Sequence, residues 1–447
     1  MRKNLSIATI SLLLVLASTK AQQVFDVKSY GAQRNADITQ AMTKAWKAAC
    51  VVAGSKVVIS AGVYKLGLVT LLGPCKGAIE FNLQGTLQAP SDVASFNGKD
   101  SWVVFESIDG LTVSGGGVFD GKGQQAWKKN ECKKDKNCNV LPINIRFNYV
   151  TNSKVQDITS KDSKFFHINV LECKKLQFQH VTITAPADSP NTDGIHMGHS
   201  SQITITNPDI GTGDDCISIG DGTQDITVNQ VTCGRGHGIS IGSLGKYQNE
   251  EPVSGIRVTG ATLSNTDNGV RIKTWPASPS GVASDIHFED VVMNNVANPI
   301  IIDQNYCPNN QCSNQSPSKV KISNVSFKKI RGTSSTKEAM NLICSKSVPC
   351  QQVVLSDIDL AYKGASTSRH ARGMTHGLGV RGLVEKHGKL PVCIAPEFCA
   401  FVGEHAAKFA SQIGVQVHTN LSTMNAYSWK NVGSGEEEAI IQNVAVH

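Results

Sequence analysis

Three short phrases in this 447-residue chain carry ionisable side chains at a fixed interval: Asn191-Thr192-Asp193, Gly213-Asp214-Asp215-Cys216 and Gly236-His237-Gly238. Asp193, Asp215 and His237 follow one another in steps of 22 residues, and each phrase runs into a similar apolar strand beginning at Gly194, Cys216 and Gly238. If each repeat is one coil of a solenoid, equivalent residues of successive coils lie about 4.8 Å apart, and the three groups stand in one column. Carboxylates stacked this closely raise at least one pKa, leaving a protonated acid beside ionised partners. Glycoside hydrolysis needs that split: one carboxylic acid protonates the departing oxygen while another carboxylate activates water or attacks the sugar. A histidine one repeat above Asp215 can hold the carboxylates in their protonation states or bind a sugar hydroxyl. Aspartate is also a common turn former, but turn chemistry gives no reason for Asp193, Asp214, Asp215 and His237 to recur with matched spacing.

Arg271-Ile272-Lys273 follows in the next strand. Side chains alternate along a strand, so the two cations share a face. Beside a carboxylate cluster they point to an anionic substrate group, which Arg can grip through two parallel hydrogen bonds. The plainer alternative is a solvated basic edge that neutralises the aspartates. Tyr306, about one coil further on, is a candidate for stacking on a sugar or hydrogen-bonding to it.

The elements that must hold these residues are short strands. From about residue 100 to 360 the chain is a succession of β-branched, alternating segments broken by Gly, Asn and Asp. A second strand series beginning at Ile203, Ile226, Ile256, Ile286 and Val320 runs out of phase with the first. Repeats with two or three strands and no intervening helix predict an all-β fold, a right-handed parallel β-helix. A sandwich or barrel leaves the recurrence of one phrase in register with a strand unexplained. Asn265-Thr266-Asp267-Asn268 and Asn294-Asn295 suit tight solenoid corners. Residues 36–50 are predicted to form an N-terminal capping helix, with Ala41, Ala45, Trp46 and Ala49 on one face. The repeat pattern ends near Ala365, where residues 366–373 read as a polar linker. Residues 22–365 are therefore expected to form the β-helix domain and 366–447 an atypical C-terminal extension.

Arg2 and Lys3, the apolar run from Ile10 to Ala17 and Thr19-Lys20-Ala21 predict a signal peptide over residues 1–21 and a secreted, cell-wall protein. That run is too short for a membrane span, and no membrane partner is expected. In an exported chain the 13 cysteines favour disulfides over metal ligation. Cys132/Cys138, Cys307/Cys312 and Cys344/Cys350 read as loop staples and Cys216/Cys233 as a tie between coils; the odd total leaves a thiol unpaired. Asn324 and Asn420 begin glycosylation triplets. The net charge of +7 includes +3 from the leader and +1 from residues 366–447. A body of only +3 does not argue for nucleic acid, so the placement of single cations matters more than bulk charge.

On the phrases Asn191-Thr192-Asp193, Gly213-Asp214-Asp215, Gly236-His237-Gly238 and Arg271-Ile272-Lys273, the chain resembles the polygalacturonases, and among them the plant pollen-type exopolygalacturonases, over about residues 24–362. The resemblance implies hydrolysis of α-1,4-linked galacturonic acid in pectin with inversion, exo action from chain ends, a monomer, and no metal or other cofactor. It implies Asp214 as general acid, Asp193 with Asp215 as activators of water, His237 as their support, and Arg271 and Lys273 as ligands of the substrate carboxylate; Asn191 and Tyr306 are further candidate substrate-binding residues. Gly213 is expected to break the strand so that both Asp214 and Asp215 reach the cleft. Residues 372–432 are instead similar to a segment encoded by plant transposable elements of the Ptta/En/Spm type. A chain that has lost its normal C-terminal cap in this way gives the alternative reading, a catalytically impaired wall-binding protein. An eliminating pectin enzyme on the same fold is the other rival, distinguished by an unsaturated, ultraviolet-absorbing product.

Overall fold

The computed structural model describes residues 22–130, 140–308, 312, 316–372, 379–380 and 439–441. The expected leader, the Cys132/Cys138 pair and nearly all of the transposon-like tail lie outside the described residues.

Alternation of β-branched and polar residues produces strands with one apolar face. In Ser201–Thr206, Ile203 and Ile205 are buried while Thr204 and Thr206 lie on the outer side. Each coil supplies three such strands. One coil runs through Ile195–Gly198, Ser201–Thr206 and Asp209–Gly211, and the next stacks on it in parallel through Ile217–Ile219, Gln224–Asn229 and Thr232–Gly234. The strands starting each coil form a 12-stranded sheet, and the other two columns form a 22-stranded one, joined where the 16-residue strand Gly281–Val296 turns a corner and pairs with both columns. The fold is thus a parallel β-helix. Corners use left-handed backbone, as at Asn207, Asn265 and Asn295, and Asn295 Nδ2 donates to Asn265 Oδ1 at 2.9 Å across adjacent coils.

The interior is a set of side-chain ladders produced by that register. Ile195, Ile217, Ile239, Val270, Ile300 and Met340 form one, and Met197, Ile219, Ile241, Ile272, Ile302 and Leu342 the next, all buried. At the N-terminal end an α-helix, Thr39–Cys50, lays Ala41, Met42, Ala45, Trp46 and Ala49 over the first coils. Trp46 Nε1 donates to the Leu72 carbonyl at 3.1 Å, and a Cys50–Cys75 disulfide, not expected from spacing, fastens the end of this cap. The disulfides Cys216–Cys233, Cys307–Cys312 and Cys344–Cys350 are formed, and Cys173 is a buried free thiol. Cys233 sits one rung beyond Ile210, so its bond ties the corner at Cys216 to the next rung. The solenoid continues into the stretch read as a linker, which is a strand over most of its length: Ser368–Arg372 adds a parallel rung to Glu338–Ile343, and Ala439–Ile441 pairs antiparallel at its edge.

Truncating Ile219 removes the middle of a stacked ladder between Met197 and Ile241. Ile219→Ala should cost about 2–5 kcal/mol in urea unfolding; a loss below about 1 kcal/mol would contradict a tightly packed interior.

Candidate active site

The inward ladders determine what faces out. Because Ile195, Met197, Ile217 and Ile219 point inward, His196 and Ser218 point outward. Register then places Asn169, His196, Ser218, Ser240 and Arg271 on five successive rungs of the outer face. Lys273, two residues beyond Arg271 on Asn268–Thr274, shares that face and is only 6 % exposed.

The aspartates come from the corners that lead into these strands. Residues 212–216 belong to no strand, so Asp214 and Asp215 escape the alternation that would point them to opposite sides. Two glycines allow this tight turn. A Cβ on Gly213 would lie 2.1 Å from the Ser189 carbonyl oxygen, and one on Gly236, whose φ is +75°, would lie 2.3 Å from that of Asp214. The expected break at Gly213 is present, and both carboxylates reach one groove.

Asp215 lies at the centre of an ion-paired cluster. Its side chain is 1 % exposed and receives Lys273 Nζ at 2.7 Å on Oδ2, with Arg271 Nη2 at 2.9 Å and Ser240 Oγ at 2.8 Å on Oδ1. Arg271 Nε also donates to Ser240 Oγ at 3.0 Å. Burial opposes charge on Asp215, but Lys273 and Arg271 outweigh it and hold the carboxyl down to about 2. Asp193 takes the opposite direction. Burial first, then the charges of Asp214 and Asp215, push its pKa well above the usual carboxylate range, and a hydrogen bond from Ser218 Oγ at 2.7 Å offsets this only in part. Two neighbouring carboxyls thus acquire different proton affinities from their surroundings.

Asp214 is more open. Its Oδ1 accepts from the Asp215 backbone N–H at 2.8 Å and from His237 Nδ1 at 2.9 Å, leaving Oδ2 without a partner among the described residues. The hydrogen bond to Asp214 raises the His237 pKa, against partial burial. On the other flank His196 stacks on Phe166 at 4.5 Å, and its Nδ1 donates to Ser218 Oγ at 2.7 Å, which in turn donates to Asp193. Burial, then the charge of Lys273, pushes His196 down to about 4. A neutral imidazole with its proton on Nδ1 presents Nε2 as an acceptor.

The structure therefore gathers Asp193, Asp214, Asp215, His237, Arg271 and Lys273 as anticipated. Tyr306 covers the cations, its ring centre 5.2 Å from Lys273 Nζ and 5.8 Å from the Arg271 guanidinium carbon. Asn191 stands apart as an exposed left-handed corner residue two positions before Asp193. His196, Ser218 and Ser240 were not singled out from sequence. Their signal is the residue after the first Ile in each repeated phrase, which alternation turns outward. Ligand atoms of Asp214, Asp215 and His237 lie within 4.8 Å of one another, a spacing a cation can use. Lys273 and Arg271 already supply the positive charge at Asp215.

A parallel β-helix with a groove of three carboxyls beside paired cations defines a polysaccharide-processing enzyme scaffold, and the comparisons agree. The sequence profile of glycosyl hydrolases family 28 matches residues 50–377, and the chain belongs to that family. It is 56 % identical to an exopolygalacturonase of Platanus acerifolia over 76 % of this chain and 91 % of the relative. It is 54 % identical to a polygalacturonase of Gossypium barbadense over 79 % and 88 %, respectively. The endo-xylogalacturonan hydrolase structure from Aspergillus tubingensis superposes with a TM-score of 0.71 at 24 % identity, covering 80 % of this chain and 99 % of that one. The shared fold is the right-handed parallel β-helix.

Lys273→Gln leaves buried Asp215 with one cation. A depressed folded-state pKa stabilises above the ordinary carboxyl range and is lost as pH falls toward about 2. The variant should lose about 3–5 kcal/mol near neutral pH and unfold at a higher pH than wild type during acid titration. An unchanged acid midpoint would show that Lys273 does not set the charge of Asp215.

Proposed function

We propose that this protein is a secreted polygalacturonase that hydrolyses α-1,4-galacturonosyl linkages of pectin with inversion, acting on chain ends and releasing single galacturonic acid units. The observation that carries the reading is the pair of cations, Arg271 and Lys273, held within hydrogen-bond reach of one of three converging carboxyls. A uronate polymer presents both a glycosidic oxygen for the acids and a carboxylate for the cations. Relatives named exopolygalacturonase and polygalacturonase, at 56 % and 54 % identity, support the substrate and the exo mode.

Asp214 acts as general acid. With Oδ1 occupied by His237 and the Asp215 N–H, Oδ2 carries the proton to the leaving oxygen, and both donors then stabilise the carboxylate left behind. Water is activated between Asp193 and Asp215. Asp215 stays ionised and orients the water, while Asp193, the stronger base when deprotonated, accepts the proton. Direct attack by water, with no glycosyl-enzyme bond, gives inversion. Export is supported by the leader-like N-terminus and by disulfides that persist in oxidising compartments.

Asp214→Asn should reduce release of reducing ends from polygalacturonate by about 10²–10⁴-fold; an equally active variant would remove Asp214 from the acid role. On a defined galacturonate oligomer, mass spectrometry should find monomer as the only early product, and a ladder of sizes would overturn exo action. The charged His237 is lost as pH rises through its raised pKa, so kcat/KM should fall on an alkaline limb above the ordinary histidine value. His237→Asn should abolish that limb; its survival would assign it to another group.

A further inference from the structure

Beyond the acids, the outer face continues toward the N-terminus with polar atoms the proposed chemistry does not use. Arg146 on Ile143–Asn148 pairs in register with Asn169, which pairs with His196, so Arg146 stands two rungs from the histidine beside the acids. Arg146 Nε is buried without a partner, as are Asn148 Oδ1 and Asn169 Oδ1. Asn169 is only 9 % exposed. The guanidinium has one carboxylate partner among the described residues, Asp100, at 2.9 Å from Nη1, and Asp100 is 58 % exposed. Glu106 stands opposite Asn148 in register on the adjacent rung.

Buried polar atoms without partners are destabilising, and an ion pair with an exposed carboxylate does little to offset them. Three in one patch of a groove mark a place where a ligand completes the hydrogen bonding. A cationic N–H donor beside two amide acceptors matches one chemical class, a hydroxylated anion: the carboxylate meets Arg146 in place of the exposed Asp100, and hydroxyls donate to Asn148 and Asn169. Arg146 is also near enough to His196 for its charge to act on that imidazole, after burial and Lys273.

We infer that Arg146, with Asn148 and Asn169, forms a second uronate-binding patch across the acids from Arg271 and Lys273, gripping the sugar on the N-terminal side of the scissile bond. This rests on the pectin-hydrolase reading. Arg146 is here a specificity-determining residue, whereas the chemistry remains with Asp193, Asp214 and Asp215. A groove with cations at both flanks selects for free carboxylates on both sides of the bond being cut.

The test uses the full chain and trigalacturonates that are either free or methyl-esterified on one terminal unit. Wild type should lose about ten-fold or more in kcat/KM when the ester sits on one particular end. Arg146→Gln should lose a similar factor on the free trimer, cease to distinguish that ester, and keep its discrimination against an ester at the other end. Unchanged kcat/KM on the free trimer, or intact discrimination at both ends, would overturn the patch. Should Arg146→Gln fail to fold, Asn169→Asp provides the same readout by placing a like charge there: a loss on the free trimer relieved by the ester supports the patch, and no such relief overturns it. If wild type cleaves no trimer, the hydrolase reading fails, and calorimetric binding of free trigalacturonate decides the patch alone. Weaker binding by Arg146→Gln upholds it; equal or absent binding rejects it.

Discussion

Parallel register between coils is the constraint on which the rest of the molecule depends. A strand that pairs one-to-one with its predecessor stacks like on like, so a 22-residue step becomes a column and an inward isoleucine fixes the outward neighbour. A one-residue slip would exchange the faces, burying Arg271 and Lys273 in the interior and exposing the isoleucine ladder. The apolar ladders therefore hold the acidic face in place through their cost of misalignment.

On that face electrostatics sorts three similar carboxyls. Desolvation raises Asp193, and the same desolvation is overcome at Asp215 by two cations on a single strand two rungs away. Asp214, in the corner, is more open to solvent and to the imidazole of His237. The differences arise from position alone, since the side chains are chemically the same. A pair of cations placed one rung lower would have depressed Asp193 instead.

Much of the site was legible because its signal lay in spacing. Asp193, Asp215 and His237 fall on one repeat, and Arg271 and Lys273 on one strand face, so register converts sequence interval directly into proximity. His196, Ser218 and Ser240 were hidden because a polar residue between two isoleucines is what any half-buried strand contains; only their stacking reveals the relay to Asp193 and the bridge between Asp215 and Arg271. The Cys50–Cys75 bond was obscured for another reason. It joins the end of the capping helix to a loop of the first coils, outside the repeat that gave the other pairs their meaning. Ser368–Arg372 was read as a linker because a single polar rung has no alternation strong enough to declare a strand, and pairing with Glu338–Ile343 supplies what local sequence lacks.

The same one-dimensional logic bears on the C-terminal end of the described solenoid. In a solenoid each coil contacts only its neighbours, so stability is a chain of nearest-neighbour terms. Between the strand that carries Arg271 and Lys273 and the strand Ser368–Arg372 lie two further rungs, Asn298–Asp303 and Glu338–Ile343, both with buried apolar ladders. Fraying of the terminal rung therefore removes support from the next rung, not from the acids. Coils on both sides of Asp215 preserve its geometry until unzipping from that side reaches them. The acidic column therefore keeps its geometry under fraying that already opens the terminal rung.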